Sequence, residues 1–399
     1  MRILHIIGTL SPEAGGPTES VRVLLSYGPI GYTGEVVTLD DPNAPFLKDV
    51  TFPVHALGPT RTKYGFNAKL LPWLKENRSR FDGVVINGLW QYCGYAAWRA
   101  LAGNTPYMVF THGMLDPYFK HAFPLKHLKK WLYWVPAEYR ILRDAYRVLF
   151  TSTAEARLAK ESFRLHRWNP YVVPYGASSP PPVSRNELED AFFECCPGVR
   201  GKRFLLFLGR IHRKKGCDLL IRAFGKAARQ DPSLHLVMAG PDQQLWSASL
   251  KTMGRKDGVE DRIHWPGMLT GNAKWGAFYA AEAFILPSHQ ENFGIAVAEA
   301  LSCGTPVLLA DKVNIAEDIA EDGGGMMESD TAEGTLQLLN RWISMSKEER
   351  AEMSVRAERC YHRRYDMREN AKAIIRLFEE ATTPLEDEAL SGEMTSVGS

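Results

Sequence analysis

The feature that most constrains the fold is a strand, loop, helix and strand pattern between residues 283 and 309. Ala283–Leu286 is a short apolar run of the kind found in strands buried within a parallel sheet. After a polar loop, apolar residues recur at helical spacing, so a helix is predicted to begin near Phe293 or Gly294. A glycine and a proline then stop this helix, and Val307–Leu309 begins the next strand. The pattern predicts an α/β protein with parallel strands.

Two glutamates lie eight positions apart in this unit. Glu291 is in the loop at the carboxyl end of the first strand, and Glu299 is in the helix. Carboxylates suit sugar hydroxyls because each can accept several O–H hydrogen bonds. Gly294 lets a ligand approach the backbone, and the free amides of the first helical turn can bind an anion. On spacing alone, the more common interpretation of such a pair is that one glutamate lies in a loop and the other on the solvated face of a helix.

A second cluster of charge follows the strand predicted from Arg203 to Gly209. Gly209 ends that strand, and four cationic side chains then occur within six positions: Arg210, Arg213, Lys214 and Lys215. Arginine binds phosphate oxygens with its planar fork, and lysine adds a point charge. The cluster therefore predicts an anion site, with a solvated run of charge as the alternative.

Together these motifs resemble those of retaining glycosyltransferases of family 4, which have the two-domain GT-B fold. The glutamate pair resembles the E-x7-E signature of that family. The second motif, G-R-x-x-x-x-K-G, is matched residue for residue by Gly209, Arg210, Lys215 and Gly216. The resemblance is specific over residues 201–307 and looser over residues 1–176.

The resemblance implies roles for individual residues. Glu291 would contact the donor sugar and Glu299 the nucleotide ribose, while Arg210 and Lys215 would neutralise the donor diphosphate. His112, which follows the apolar run Tyr107–Phe110, would face the donor sugar. The other donor-binding residues expected are Gly16, Gly209, Gly240, Pro266, Asn292, Phe293, Gly294 and Ile295.

Three positions are ambiguous on sequence grounds. A lone histidine such as His112 is more often structural. The Gly15-Gly16-Pro17 loop could be an ordinary tight turn before a helix predicted from Ser20. Tyr175 stands where family members often carry an asparagine, so the role of that position does not transfer.

The expected architecture is two Rossmann-like, doubly wound parallel-sheet domains facing a central cleft. Residues 1–177 are assigned to an acceptor-side domain, 178–200 to a connector and 201–355 to a nucleotide-sugar domain. The resemblance implies that the last helix, within 356–382, crosses back to the first domain. Residues 383–399 are acidic and poor in large apolar residues, which is typical of a disordered tail.

Composition sets limits on partners and setting. The net charge of +2 gives no bulk electrostatic reason to expect nucleic acid binding. The six cysteines match no zinc spacing, which favours a reducing cytoplasm. No run of 18 apolar residues occurs, so no membrane-spanning helix is predicted.

The segment Pro124–Val135 is a basic, tryptophan-containing amphipathic helix in pattern. An apolar stripe is formed by Leu125, Leu128, Leu132 and Val135, with lysines beside it. Such a helix can lie on an anionic membrane surface from the cytoplasmic side. The more common arrangement for such a pattern is a helix that packs its apolar stripe into the core. Pro136 is then expected to end this helix.

The predicted function is metal-independent, retaining transfer of a sugar from a UDP- or GDP-sugar to a glycan, preferably lipid-linked and belonging to a surface polysaccharide pathway. No D-x-D metal motif follows a suitable strand, and no other cofactor is expected. A Rossmann dehydrogenase is disfavoured because the G-x-G-x-x-G fingerprint is absent. A nucleotide-sugar epimerase or hydrolase of the same shape, or a non-catalytic nucleotide-sugar-binding protein, remains an alternative.

Overall fold

A computed structural model describes residues 1–26, 31–60, 62–173, 175–242 and 245–382. Two sheets are present in these ranges, one of seven strands and one of six, and every strand pair in both is parallel. This confirms the predicted fold class of two doubly wound Rossmann-like domains. The segment 383–399, assigned to a tail from composition, lies outside the described residues.

The first sheet has the order β3-β2-β1-β4-β5-β6-β7. Its strands are β1 Arg2–Ile6, β2 Thr33–Thr38, β3 Val54–Ala56, β4 Gly83–Asn87, β5 Tyr107–Phe110, β6 Arg147–Phe150 and β7 Pro170–Val172. The helices between them are α1 Gly16–Ser26, α2 Leu70–Asn77, α3 Tyr92–Leu101, α4 Tyr118–Ala122, α5 Pro124–Tyr133, α6 Tyr139–Arg143 and α7 Thr153–Ser162. The central strand β4 is buried at all positions, as expected for a strand covered by helices on both faces.

The second sheet has the order β10-β9-β8-β11-β12-β13. Its strands are β8 Arg203–Leu208, β9 Leu234–Ala239, β10 Ile263–Gly267, β11 Ala283–Leu286, β12 Val307–Ala310 and β13 Gly325–Glu328. The helices are α8 Arg185–Cys195, α9 Cys217–Ala227, α10 Ser247–Lys256, α11 Gly271–Ala280, α12 Ile295–Ser302, α13 Ala316–Glu321, α14 Ala332–Ser344, α15 Lys347–Arg364 and α16 Met367–Thr382.

In each sheet there is one position at which successive strands stop being added on one side and are added on the other side. In the first sheet this switch point lies between β1 and β4, and in the second between β8 and β11. Ligands of open α/β sheets bind beyond the carboxyl ends of the strands at such positions. The topology therefore marks two ligand-binding regions, one in each domain.

The last helix, α16, packs on the first domain. The ring of Phe378 is fully buried and lies directly against Gly83, where a Cβ would overlap it. The segment 356–382, expected to cross as one helix, is divided by a break at Tyr365-Asp366 into the end of α15 and all of α16. The helix that reaches the first domain is thus Met367–Thr382, which ties the two domains together.

Two local predictions are wrong. Helix α1 begins at Gly16 and not at Ser20, because Gly16 and Pro17 occupy its first turn, where proline is tolerated. Helix α5 is not terminated by Pro136. A π-helical turn over Trp134–Glu138 carries the chain past that proline into α6. None of the described helices combines the length and the apolarity that crossing a membrane requires.

We predict that Phe378→Ala lowers the free energy of unfolding by about 3–5 kcal/mol, because a large buried ring is removed from the contact between α16 and the first sheet. Chemical denaturation followed by tryptophan fluorescence measures this. Val355→Ala on α15 is the control, since that side chain is 58% exposed and its removal should cost little. Equal losses for the two variants would contradict the assigned packing.

Candidate active site

The loops after β8 and β11 touch at the switch point of the second sheet. The backbone N–H of His289 donates to the carbonyl oxygen of Lys214 at 2.9 Å. Gly216 has a φ of 65°, and a Cβ there would overlap the carbonyl oxygen of Pro287. Only glycine fits this conformation and this approach. The G-R-x-x-x-x-K-G and E-x7-E segments, distant in sequence, are thereby joined in one site.

Lys215 and Glu291 form an ion pair at the centre of this site. Their side chains are only 16% and 17% exposed. Burial alone would raise the pKa of Glu291, but the charges of Lys215, Lys214 and Arg210 outweigh it and hold this pKa below its usual value. Glu291 is therefore ionised, and Arg210 faces the same cleft.

Arg210 is exposed immediately after Gly209, the residue that follows β8. Its guanidinium has no ion pair with any other residue in the part of the chain that the structure describes. Lys214 approaches the first domain, with its ammonium 5.8 Å from the ring centroid of Tyr118. Burial lowers the pKa of Lys214, partly offset by Glu291. Arg210 and Lys215 thus present two cations to the cleft.

The start of α12 forms the opposite wall. Gly294 is its N-cap residue with a φ of 74°, and Ile295 is its first helical residue. A Cβ on Gly16 would lie 3.6 Å from Cδ1 of Ile295, so the loop before α1 lies against this helix start. The free amides of the first turn and the positive end of the helix dipole add to the attraction for an anion.

Glu299 lies further along α12 and is buried. Its carboxylate accepts a hydrogen bond of 2.7 Å from Nζ of Lys274 on α11. Burial raises the pKa of Glu299, and Lys274 only partly counters this. Lys274 belongs to no sequence motif, because a lone lysine on a helix has no characteristic spacing to other residues.

Gly240 and Pro266 lie at the ends of the neighbouring strands. Gly209 donates its N–H to Ala239 at 2.9 Å, and Gly240 donates to the carbonyl of Gly267 at 2.8 Å. Pro266 precedes Gly267 within β10. The ends of β8, β9 and β10 therefore form a continuous rim beside the cationic residues.

His112 lies after β5 with a φ of 47°, and both of its ring nitrogens are occupied. Asn87 directs its amide nitrogen toward backbone carbonyls, so its Oδ1 faces His112 Nε2, at 3.2 Å. Nε2 therefore carries the proton, and Nδ1 accepts from the hydroxyl of Tyr175 at 3.3 Å. Burial lowers the pKa of His112 to about 3, so the ring is neutral.

Asn292 and Phe293, expected to bind the donor, direct their side chains into the contact between the domains. The amide nitrogen of Asn292 donates to Thr151 Oγ1 at 3.1 Å and to Glu155 at 3.2 Å. The buried ring of Phe293 packs edge-on against Tyr175, with centroids 4.8 Å apart. Any contact of these two residues with a donor would therefore come from their backbone.

Glu155 is the most important site residue that the sequence motifs do not reveal. Its backbone N–H donates to Ser152 Oγ at 3.1 Å at the start of α7. Its carboxylate is 3% exposed and accepts hydrogen bonds from Thr111, Gly113, Thr151 and Asn292. Thr111 and Gly113 flank His112, so Glu155 holds the His112 loop and the Glu291 loop together.

A second bond between the domains involves Asp116. Its carboxylate accepts from the backbone N–H of Tyr118 at 2.8 Å, which forms a local turn. It also accepts from the side chain of Gln290 at 2.7 Å. Among the described residues, no group of three or more histidine, cysteine or acidic side chains is close enough to hold a metal ion.

Two family models match the chain. The model of "Glycosyl transferases group 1" covers residues 198–359, and that of the "Glycosyl transferase 4-like domain" covers residues 25–176. The first spans the loops of β8 and β11, and the second spans most of the first sheet.

Curated relatives agree with these matches. The chain is 30% identical over 198 residues to a D-inositol 3-phosphate glycosyltransferase from Nocardiopsis dassonvillei, covering 48% of this chain and 46% of the relative. The chain thus spans about half the length of that relative. A GDP-mannose:cellobiosyl-diphosphopolyprenol alpha-mannosyltransferase from Xanthomonas oryzae is 25% identical over 339 residues, covering 82% of this chain and 83% of the relative.

Among solved structures, Anabaena Alr3699/HepE in complex with UDP and glucose superimposes with a TM-score of 0.73 at 18% identity. The superposition covers 95% of this chain and all of that one. At this identity the likeness concerns the fold.

We predict that Glu155→Ala lowers the free energy of unfolding by about 3–5 kcal/mol, because several buried donors lose a charged acceptor at once. Glu161→Ala, an exposed glutamate on the same helix, is the matched control and should change stability by less than about 0.5 kcal/mol. A loss no larger than that of the control would show that the carboxylate does not hold the two loops.

Proposed function

The chain belongs to the group 1 glycosyltransferases, and from this premise we propose that it moves a sugar from a nucleotide-diphosphate sugar to a glycan acceptor with retention at the anomeric carbon. The observation that carries the proposal is the shared cleft of Arg210, Lys215 and Glu291 in front of the first turn of α12. That cleft combines groups for phosphate with a carboxylate for sugar hydroxyls.

The cations address the main chemical difficulty of the reaction. When the bond between the anomeric carbon and the diphosphate breaks, its electron pair leaves with the phosphate oxygen, and the sugar becomes cationic. Arg210, Lys215 and the amides at the start of α12 stabilise the departing negative charge in a cleft that restricts water. These groups perform the role that a divalent cation has in other transferases, so we infer a metal-independent reaction.

Retention follows if the acceptor hydroxyl attacks from the side on which the diphosphate leaves. The acceptor oxygen forms the new bond to the anomeric carbon, and its proton passes to the departing phosphate oxygen. Glu291 is ion-paired with Lys215, so its part is to hold sugar hydroxyls and keep Lys215 oriented. His112, neutral and held by Asn87 and Tyr175, supports the sugar without exchanging a proton.

A lipid-linked acceptor of a surface polysaccharide pathway is the preferred substrate class. The relative aligned over most of the chain is named for transfer from GDP-mannose to a diphosphopolyprenol-linked glycan. The HepE structure is in complex with UDP. A UDP-sugar and a GDP-sugar therefore both stay open as the donor for this chain.

The exposure of α5 supports contact with a membrane surface, and it overturns the expectation that its stripe packs into the core. Leu125, Leu128 and Leu132 are 78%, 66% and 81% exposed, and Val135 is 45% exposed. Lysines alternate with these side chains along the helix. A basic helix with an outward apolar face suits the interface of an anionic bilayer, where a lipid-linked acceptor resides.

We predict that Lys215→Ala and Arg210→Ala each lower kcat by about 100-fold or more, the usual cost of removing a group that stabilises transition-state charge. Release of UDP or GDP from a panel of nucleotide sugars measures this. Lys226→Ala, an exposed lysine on the outer side of α9, is the control. EDTA should leave the rate unchanged. Near-normal turnover of both site variants would refute the assignment.

We predict that the double change Leu128→Ser and Leu132→Ser reduces sedimentation with vesicles containing phosphatidylglycerol by about tenfold or more, since each buried leucine contributes about 1.5–3 kcal/mol of transfer free energy. Val355→Ser, also exposed but on α15, is the control. The side chains of Leu128, Leu132 and Val355 are already exposed, so all of these variants should fold normally. Unchanged sedimentation of the double variant would exclude α5 as the membrane contact.

A further inference from the structure

A groove of about 600 Å³ lies between α9 and α10 of the second domain. Its wall includes cations, hydroxyls and a carboxylate: Arg222, Arg229, Lys256, Ser249, Thr252 and Asp257. We propose that this groove is an anion site and that it binds a small molecule with two or more phosphate groups. The inference goes beyond the proposed transfer function, because it concerns a different place from the cleft of Arg210 and Glu291.

The groove extends along the two helices and away from the donor cleft. Helix α9 begins at Cys217, directly after Gly216 of the loop that carries Lys215. Since a helix rises about 1.5 Å per residue, Arg222 lies about 7.5 Å further along the axis. Arg229 follows the far end of the helix. The groove cations therefore form a group separate from the cations of the donor cleft.

The cations of the groove lack the acidic partners that a neighbouring cation has. Arg255, which precedes Lys256 in α10, pairs with Glu260 at 2.8 Å. Arg222, Arg229 and Lys256 are exposed, and they form no ion pair with any residue in the ranges that the structure describes. Their charge is therefore not compensated within the chain, and in a concave surface such charge attracts anions.

The carboxylate of the groove does not balance these cations. Asp257 is the one acidic residue among the described residues that line the groove, and the cations outnumber it. It packs against α9 at Gly225, where a Cβ would lie 2.7 Å from the Cβ of Asp257. The absence of a side chain at Gly225 thus lets the end of α10 approach α9. The positive charge that remains suits a ligand with more than one phosphate group.

The positions of the cations are not explained by the helix dipoles alone. Lys256 is the last residue of α10 and Arg229 follows α9, and cations at such places offset the negative end of a helix dipole. Arg222 lies in the middle of α9, where the dipole gives no such reason. Its exposure in the groove without an acidic partner is explained by an anionic ligand.

The size and the chemistry of the groove indicate the class of ligand. A volume of about 600 Å³ lies in the usual range for small-molecule sites, about 300–1,000 Å³. Arginine binds phosphate through two parallel N–H donors, and lysine adds a point charge. Arg222 lies on α9 and Lys256 on α10, and Ser249 adds a hydroxyl. A ligand with two phosphate groups can contact both helices at once, which a single phosphate cannot do as well.

The test uses the full chain and isothermal titration calorimetry with two probes, fructose 1,6-bisphosphate and inorganic tripolyphosphate. Fructose 6-phosphate is the single-phosphate comparison and should bind about tenfold more weakly than the bisphosphate, or weaker still. The double change Arg222→Gln and Arg229→Gln should weaken binding of the bisphosphate by about tenfold or more, equivalent to about 1.4 kcal/mol. Asp257→Asn should have the opposite effect and tighten binding, because it removes the carboxylate that repels the probe.

Matched controls make the same changes of charge elsewhere. Arg359→Gln with Arg376→Gln removes two exposed arginines from α15 and α16, and Asp261→Asn removes an exposed carboxylate outside the groove. These controls should leave binding of the bisphosphate unchanged, and so should Arg210→Ala with Lys215→Ala in the donor cleft.

Four results would overturn the groove assignment. They are equal affinity of the groove double variant and wild type, an equal loss in the control on α15 and α16, a loss confined to the variant of the donor cleft, and no binding of either multi-phosphate probe. Because the substituted arginines of the groove are exposed, the variants should fold normally, and circular dichroism checks this.

Discussion

The arrangement of the whole site depends on one buried carboxylate, that of Glu155. It accepts hydrogen bonds from both residues that flank His112, from the end of β6 and from Asn292 in the loop of the other domain. A buried charge is tolerated only where its oxygens are fully used. Four of its five hydrogen bonds come from the first domain, so Glu155 chiefly fixes the His112 loop, and its bond to Asn292 adds a contact with the Glu291 loop. Separating the two loops would cost this carboxylate one of its donors.

The ion pair of Lys215 and Glu291 has a complementary function. It neutralises two buried charges against each other. On the proposed function, a donor diphosphate would offer Lys215 a stronger anion, and Glu291 would then have oxygens available for sugar hydroxyls. One exchange of partners would thus prepare both halves of the donor site. Because Arg210 is exposed and outside this pair, it would provide the first attraction for that diphosphate at the mouth of the cleft.

The residues that sequence reasoning identified are those whose chemistry is local. The apolar runs Tyr107–Phe110 and Ala283–Leu286 form strands β5 and β11 at these bounds, since short apolar runs between turn residues specify buried strands. The grouping of Arg210, Lys215 and Glu291 could be predicted from sequence because it rests on motifs. The roles of Glu155, Lys274 and Asn87 could not be predicted, because they depend on partners that lie 25 to 137 positions away in the chain. The orientation of α5 stayed open between an apolar face in the core and one turned outward, since periodicity shows that a helix has an apolar face but not what that face meets.

Exposed leucines on α5 lie next to a group of aromatic residues of the first domain. Leu125, Leu128 and Leu132 face outward, the hydroxyl of Tyr133 lies 2.7 Å from that of Tyr64, and Phe66 beside Tyr64 is 61% exposed. Exposing three leucines to water carries a free-energy cost. On the proposed function, contact of α5 with the apolar phase that holds a lipid-linked acceptor would offset this cost.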